Sequence, residues 1–137
     1  MSSLNGIIDD LTAGKWINPN NDKPVKIPIK KIEISKSLDG LEYDFINKTH
    51  NGEKILIVSD EYTHDALGLR VYKNLNGKSD VSEFVWKNPH CSEDGVREIQ
   101  KASKDYNSII AIGSGTINDT VKYASFLDKK KYSVFAT

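Results

Sequence analysis

Two glycines stand between a buried-strand pattern and a helical pattern, in Gly113-Ser114-Gly115-Thr116. Glycine lets a backbone approach a bound group closely and take positive φ. The free N–H groups from Gly115 to Ile117 would then face an anion, with the positive end of a helix dipole behind them. Pyrophosphate is the obvious anion, but a tight strand-to-helix turn without a ligand explains the same residues equally well. The turn is not a P-loop, and Asn118 occupies the third glycine position of the common dinucleotide motif.

Two carboxylates are placed to act near that turn. Asp60 follows the apolar run Ile55–Val58, and a carboxylate at a strand's end can accept hydrogen bonds from the hydroxyls of an adenosine ribose. It would also repel a 2′-phosphate, which favours NAD over NADP. On local grounds a helix N-cap is the favoured interpretation of Asp60. Asp119 and Lys122 are three residues apart, and a surface ion pair is their simplest interpretation.

The remaining reactive side chains do not form a pattern. His50, His64 and His90 are far apart, and no His-x-x-x-His or Glu-x-x-His spacing occurs, so we expect no metal site in this chain. Cys91 has no catalytic signature around it, and we interpret it as structural. We therefore name no catalytic residue.

Alternating strand and helix patterns must position these residues. An N-terminal helix is predicted from Leu4 to Leu11, a loop over Gly14–Pro28, and a second helix over Ser37–Ile46. Further helices are predicted after Asp60, after the capping residue Ser92 and after Gly115. Strands are predicted at Lys31–Ile34, Ile55–Val58, Val81–Trp86, Ser108–Ile112 and Tyr132–Phe135. The alternation predicts an α/β fold with a mainly parallel sheet covered by helices, and such sheets bind ligands beyond the carboxyl ends of their strands.

Composition narrows the class of protein. The chain has 137 residues with 19 basic and 19 acidic side chains, so its zero formal charge argues against general attraction to nucleic acid or anionic membranes. With 38% hydrophobic and 28% charged residues it is globular. One cysteine indicates a reducing compartment, no apolar run is long enough for a membrane span, and the first residues do not resemble a signal peptide. We expect a cytoplasmic protein.

Two segments, 109–123 and 132–137, together resemble the nucleotide-binding half of the iron-containing alcohol dehydrogenase and dehydroquinate synthase superfamily. The shared motif is Gly-Gly/Ser-Gly-x-x-x-Asp-x-x-Lys/Arg after a buried strand. The form Gly-Ser-Gly-Thr-x-Asn-Asp, and the strand ending Ile-Val-Ser-Asp60, most resemble the glycerol-1-phosphate dehydrogenase branch. The resemblance covers roughly Lys26 to Thr137.

The resemblance implies a Rossmann-like fold and an enzyme that reduces dihydroxyacetone phosphate to sn-glycerol 1-phosphate with NAD(P)H and a divalent metal, usually zinc. It implies that Asp60 binds the adenosine ribose and that Gly113–Ile117 bind the pyrophosphate. Asp119 would reach toward the nicotinamide amide. Thr137 matches the first residue of a Thr-Ala-Pro-Ser segment that contacts the cofactor.

The family's metal ligands, one Asp and two His, lie in a helical C-terminal domain that this sequence does not include. We therefore expect residues 1–25 to form a helix and loop, and residues 26–137 to form an NAD-binding domain that is inactive without its C-terminal partner domain. Two alternatives remain open: a domain of a glycerol or alcohol dehydrogenase of the same superfamily, and a flavodoxin-like or receiver-type module that binds a partner protein. The sequence is compatible with an oligomer.

Overall fold

The structure is a computed structural model that describes residues 4–137. The chain divides into two compact units, one ending at Ser37 and the other spanning Leu38–Thr137. The first unit contains α1 (Leu4–Ala13), β1 (Trp16–Asn18) and β2 (Lys23–Val25). The helix confirms the prediction made from the spacing of apolar residues in this segment.

The loop predicted over Gly14–Pro28 contains a small hairpin, so that prediction was wrong in part. Strands β1 and β2 pair antiparallel, with Trp16 opposite Val25. The turn between them is closed by a side chain, because Asn18 Oδ1 accepts the N–H of Asn20 at 3.0 Å. Asparagine side chains that bond to the following backbone produce such turns, and composition alone did not distinguish this turn from a longer loop.

Two predictions between residues 31 and 46 need correction. Residues 31–34 alternate in polarity but form no strand, because a strand needs a hydrogen-bonded ladder and none of the described strands forms one with them. The next helix, α2 (Glu42–His50), begins later than the predicted Ser37. Gly40 has φ +82° just before it, a left-handed conformation that a continuous helix does not contain.

The second unit is built on a four-stranded sheet in the order β4-β3-β5-β6. All three pairings between these strands are parallel, as the sequence predicted. A short helix, a π-helical turn over His64–Gly68 and a second helix together form one helical segment between β3 and β4. After α2, the elements in chain order are β3 (Lys54–Ser59), α3 (Glu61–Thr63), α4 (Leu69–Leu75), β4 (Asp80–Val85), α5 (Glu93–Ala102), β5 (Ser108–Ile112), α6 (Thr116–Leu127) and β6 (Lys131–Phe135).

Helices cover both faces of the sheet. The side chains of β3 alternate between the faces: Leu56 and Val58 pack with α5 and α6, while Ile55 and Ile57 pack with α2 and α4. Strand β5 alternates in the same way, and all of its residues are buried. Burial on both faces explains why these strands are continuous apolar runs in the sequence.

The chain changes direction across the sheet between β3 and β5. From β3 it crosses by α4 to β4 on one side, and from β5 it crosses by α6 to β6 on the other. Because α4 and α6 cover opposite faces, they leave the carboxyl ends of β3 and β5 in different directions. A crevice at such a switch point is where open α/β sheets bind ligands.

Candidate functional site

Gly113 is the first residue after β5, and its conformation and surroundings both require glycine. Its φ is +143°, and its N–H donates to the carbonyl of Phe135 at 3.0 Å, which extends the pairing of β5 with β6. An added Cβ would lie 3.3 Å from Thr63 Cγ2 and 3.3 Å from Ile117 Cβ. The turn is therefore packed tightly against the helical segments that follow β3 and β5.

Gly115 begins α6 and differs from Gly113 in having open space around it. Its φ is +52°, its carbonyl accepts the Asp119 N–H at 2.9 Å, and no side chain caps the helix. An added Cβ would meet no atom within 4 Å. The first N–H groups of α6 thus lie at an exposed, glycine-lined helix terminus, which suits an anion.

Asp60 forms the N-cap that the local sequence favours. Its Oδ1 accepts the Thr63 N–H at 2.7 Å, while Thr63 Oγ1 accepts the Asp60 N–H at 3.0 Å, so the two residues form a reciprocal capping box. Among the described residues none donates a hydrogen bond to Oδ2 of Asp60. The capping interpretation is confirmed, and the ribose role stays a prediction.

Neighbouring strand ends bring the predicted residues to one edge of the sheet. Val58 pairs with Ala111 and Ile112 with Phe135, so Asp60, Gly113 and Thr137 each follow within two residues of a paired position at the carboxyl ends of β3, β5 and β6. The segments after β3, β5 and β6 therefore share the carboxyl edge. Three separate parts of the sequence meet there.

Asp119 lies in the first turn of α6 and forms the predicted surface ion pair. Its Oδ1 is 3.0 Å from Lys122 Nζ, and both side chains are more than half exposed. Next to it, the Tyr132 hydroxyl donates to Oδ1 of Asn118, which joins β6 to the same turn. Burial raises the pKa of Tyr132 well above its ordinary value, and the negative charge of Asp119 raises it further, so Tyr132 stays a donor.

Sequence reasoning missed two contributors to this edge, Thr63 and the Tyr132–Asn118 pair. Thr63 completes the capping box by accepting the Asp60 N–H at Oγ1, and its Cγ2 lies where a Gly113 side chain would be. The Asp-x-x-Thr spacing is a capping signal that could have identified it. The Tyr132–Asn118 contact joins different elements, and no local signal in the sequence marks it.

Other polar groups lie elsewhere. Among residues 4–137, no three His, Cys, Asp or Glu side chains come together in a group that could hold a metal ion. Two concavities, of about 420 and 470 Å³, lie at the amino end of the sheet and between α5 and α6, and Asp119 is among the residues that line the second. Over the same described residues, no helix is both long and apolar enough to cross a bilayer.

The family model for iron-containing alcohol dehydrogenase matches residues 33–137 of the chain. The chain is 35% identical over 75 residues to glycerol-1-phosphate dehydrogenase [NAD(P)+] of Methanoculleus marisnigri, covering 55% of this chain and 21% of that protein. It is 30% identical over 84 residues to the enzyme of the same name from Methanoregula boonei, covering 61% and 23%.

Among solved structures, glycerol dehydrogenase from Schizosaccharomyces pombe superposes with a TM-score of 0.65 at 16% identity. The match covers 72% of this chain and 25% of that one, and it shows a shared fold. The chain spans between a fifth and a quarter of the length of the curated relatives it matches.

Proposed function

Because the chain belongs to the iron-containing alcohol dehydrogenase family, we propose that it is the NAD(P)-binding domain of a metal-dependent sn-glycerol-1-phosphate dehydrogenase. That enzyme would transfer a hydride from NAD(P)H, and a proton, to dihydroxyacetone phosphate, giving sn-glycerol 1-phosphate and NAD(P)⁺. The observation that carries the proposal is the uncapped, glycine-led terminus of α6 at the switch point of the sheet. The names of the two curated relatives support the choice of substrate.

We assign the pyrophosphate to the turn from Gly113 to Ile117. The residues fit such a group, because the space in front of Gly115 is open and the N–H groups of α6 lack a side-chain cap. Ser114 and Gly115 are both exposed, so a ligand can approach the backbone directly. Each charge-assisted hydrogen bond from these N–H groups would contribute about 1.5–3 kcal/mol.

We assign the adenosine ribose to Asp60. Its Oδ1 already caps α3, which fixes the direction of the carboxylate and leaves Oδ2 to accept from a ribose hydroxyl. The negative charge opposes a 2′-phosphate, so we propose a preference for NAD over NADP. A single carboxylate would thus both start a helix and select the cofactor.

We place Asp119 near the nicotinamide amide and Thr137 against the cofactor where β6 ends. Asp119 lies in the first turn of α6, which follows the glycine turn, and Thr137 lies two residues after Phe135, the last residue of β6. Asp119 would have to turn part of its carboxylate from Lys122 to accept from an amide, which its exposed position allows. We assign the cofactor domain to residues 26–137 and the role of an N-terminal extension to residues 1–25.

The metal, which we propose to be zinc, does not fit the described residues, since they offer no group of three ligands. Hydride transfer to a ketone in this family depends on a metal that polarises the carbonyl. We therefore assign the metal and the substrate phosphate to a further domain of a longer protein, and expect the 137-residue chain alone to bind cofactor without turning over substrate. Its single cysteine, Cys91, is consistent with the cytoplasm as its location.

Calorimetric titration of the purified chain with NAD⁺, NADP⁺ and ADP-ribose tests the binding function. We expect ADP-ribose to bind, NAD⁺ to bind with a more favourable enthalpy because of the nicotinamide contact assigned to Asp119, and NADP⁺ to bind more weakly than NAD⁺. Sodium pyrophosphate in excess should compete with ADP-ribose, because both would use the terminus of α6. If none of the three nucleotides binds at millimolar concentration, the dinucleotide role of this domain is wrong.

A further inference from the structure

Four polar side chains meet at the amino end of the sheet, the end opposite the glycine turn. His50 is the last residue of α2 and Glu53 precedes β3, while Lys131 and Ser133 belong to β6. His50 Nε2 lies 2.6 Å from Ser133 Oγ, and Glu53 Oε1 lies 2.6 Å from Lys131 Nζ. We call these four residues the His50 cluster.

The His50 cluster fastens an edge strand. Within the described sheet, β6 pairs with β5 alone. At this end, Tyr132 joins β6 to α6, and the two polar contacts of the cluster join β6 to α2 and to the segment before β3. The ladder with β5 runs from Lys131 to Phe135, so loosening the cluster would weaken the attachment of residues 131–133 without separating the strand from the sheet.

The second ring nitrogen of His50 and the second carboxylate oxygen of Glu53 indicate which nitrogen of the imidazole carries the proton. Its Nδ1 and Oε2 of Glu53 are buried, lie 3.7 Å apart, and have no hydrogen-bond partner among the described residues. A neutral imidazole with its proton on Nδ1 directs that donor at Glu53 and leaves Nε2 to accept the Ser133 hydroxyl proton. The same order of groups activates serine in hydrolases. Here Lys131 already neutralises Glu53 and His50 is 3% exposed, which suits a structural role.

We propose that the His50 cluster is an acid-sensitive fastening that strengthens the attachment of β6 to the sheet while His50 is neutral and weakens it when His50 is protonated. A proton on Nε2 reverses the hydrogen bond to Ser133, with Ser133 Oγ as the acceptor, and leaves the imidazole charged although His50 is only 3% exposed. It also places a second cation beside Lys131, the charged group that faces His50 from β6. Glu53, which faces it from the α2–β3 connection, carries one negative charge to offset two positive ones.

The direction of the pH effect follows from burial. Burial lowers the pKa of His50 below its ordinary 6.5, Glu53 offsets part of this, and Lys131 lowers it further. The unfolded chain therefore binds the proton more tightly, and stability falls as the pH drops from about 6.5 toward the folded-state pKa. Glu53 also has a lowered pKa: burial would raise it, but Lys131 and Ser108 outweigh burial. The stability that is lost when Glu53 is protonated is therefore lost mainly below pH 4.5, the ordinary pKa of this side chain. Between pH 6.5 and 5, the pH dependence of the cluster reports on His50.

Urea unfolding at several pH values, followed by far-UV circular dichroism, tests the proposal in the full chain. Protonation of His50 should raise the unfolding constant by up to tenfold per pH unit between pH 6.5 and 5, and His50→Gln should remove that part of the slope. His90→Gln is the matched control, since the His90 side chain is 44% exposed and lies outside the cluster. Equal slopes for the two variants would overturn the proposal.

A second measurement needs no variant and so covers the case in which His50→Gln does not fold. NMR titration of the unmodified chain should show the His50 imidazole titrating below pH 6.5. Over the same interval, amide exchange corrected for its intrinsic pH dependence should accelerate at residues 131–133 relative to β5. A His50 that titrates at or above 6.5, or exchange in β6 that stays parallel to β5, would contradict the fastening role. Neither result depends on cofactor binding.

Discussion

Placing a methyl group at Gly115 separates a ligand-binding turn from a merely tight one. We expect Gly115→Ala to weaken NAD⁺ binding by at least about 100-fold. An added Cβ at this position projects into open space, so it displaces no protein atom and occupies only the volume we assign to pyrophosphate. Losing two charge-assisted hydrogen bonds of about 1.5 kcal/mol each gives about 3 kcal/mol, which corresponds to a factor of roughly 150.

The substitution also strains the backbone, and a matched control removes that effect. Gly115 has φ +52°, and a side chain there costs about 1–3 kcal/mol. Gly77 has φ +82°, likewise has open space around an added Cβ, and lies in the connection before β4 at the other end of the sheet. Gly77→Ala should lose about 1–2 kcal/mol of stability and keep full NAD⁺ affinity.

Both variants should stay folded, because these losses are smaller than the 5–15 kcal/mol typical of a domain. The assay is calorimetric titration with NAD⁺, with urea unfolding on the same samples. Parental affinity in a folded Gly115→Ala variant would refute the pyrophosphate assignment. Equal loss of affinity in both variants would show that strain, and not obstruction, controls binding.

Three further outcomes are expected. Asp60→Ser keeps an N-cap oxygen for Thr63 but removes the negative charge. Titration should show the preference for NAD⁺ over NADP⁺ narrowing by at least about fivefold, which corresponds to roughly 1 kcal/mol of repulsion between Asp60 and the 2′-phosphate. An unchanged affinity ratio would leave Asp60 as a helix cap only. Glu42 is fully buried and accepts hydrogen bonds from Arg70 Nε at 2.9 Å and from Asn74 Nδ2 at 3.1 Å. Glu42→Ala should therefore lower the urea-derived free energy of unfolding by about 2–3 kcal/mol. This loss is somewhat smaller than for a fully buried ion pair, because the Arg70 side chain is partly exposed. The control Glu93→Ala removes an exposed pair and should change stability by less than about 0.5 kcal/mol, and equal effects would refute the burial argument. The purified chain with zinc, NADH and dihydroxyacetone phosphate should show no NADH oxidation, and zinc-dependent oxidation would contradict our assignment of the metal to another domain.

The sequence predicted the parts of the fold that depend on burial and local capping. Strands β3 and β5 are continuous apolar runs because both faces are covered, so their identity is visible without knowing their neighbours. Ser92 was predicted to cap α5, and its hydroxyl accepts the Gly95 N–H at 3.1 Å. Asp60 was predicted in the same way. In each case the evidence lies within four or five residues.

The predictions that were wrong and the contacts that were missed depend on residues that lie far apart in the sequence. The alternation at residues 31–34 resembles a strand, but pairing depends on a neighbour that the local pattern cannot reveal. The contact between His50 and Ser133 spans 83 positions, and each residue alone looks unremarkable. At the candidate site, the glycine turn and Asp60 were visible from type and spacing. The packing of Thr63 against Gly113 depends on the order of the strands, which local patterns do not specify.

The central claim is that a dinucleotide binds at the carboxyl edge of the sheet, and NMR of the isotopically labelled chain tests where NAD⁺ binds. On titration, the largest amide shift changes should occur at Gly113–Ile117, with smaller ones at 60–63 and 136–137. The amino end of the sheet around His50 should be unaffected. Shift changes confined to α5 or to the amino end, or none at saturating NAD⁺, would contradict the account.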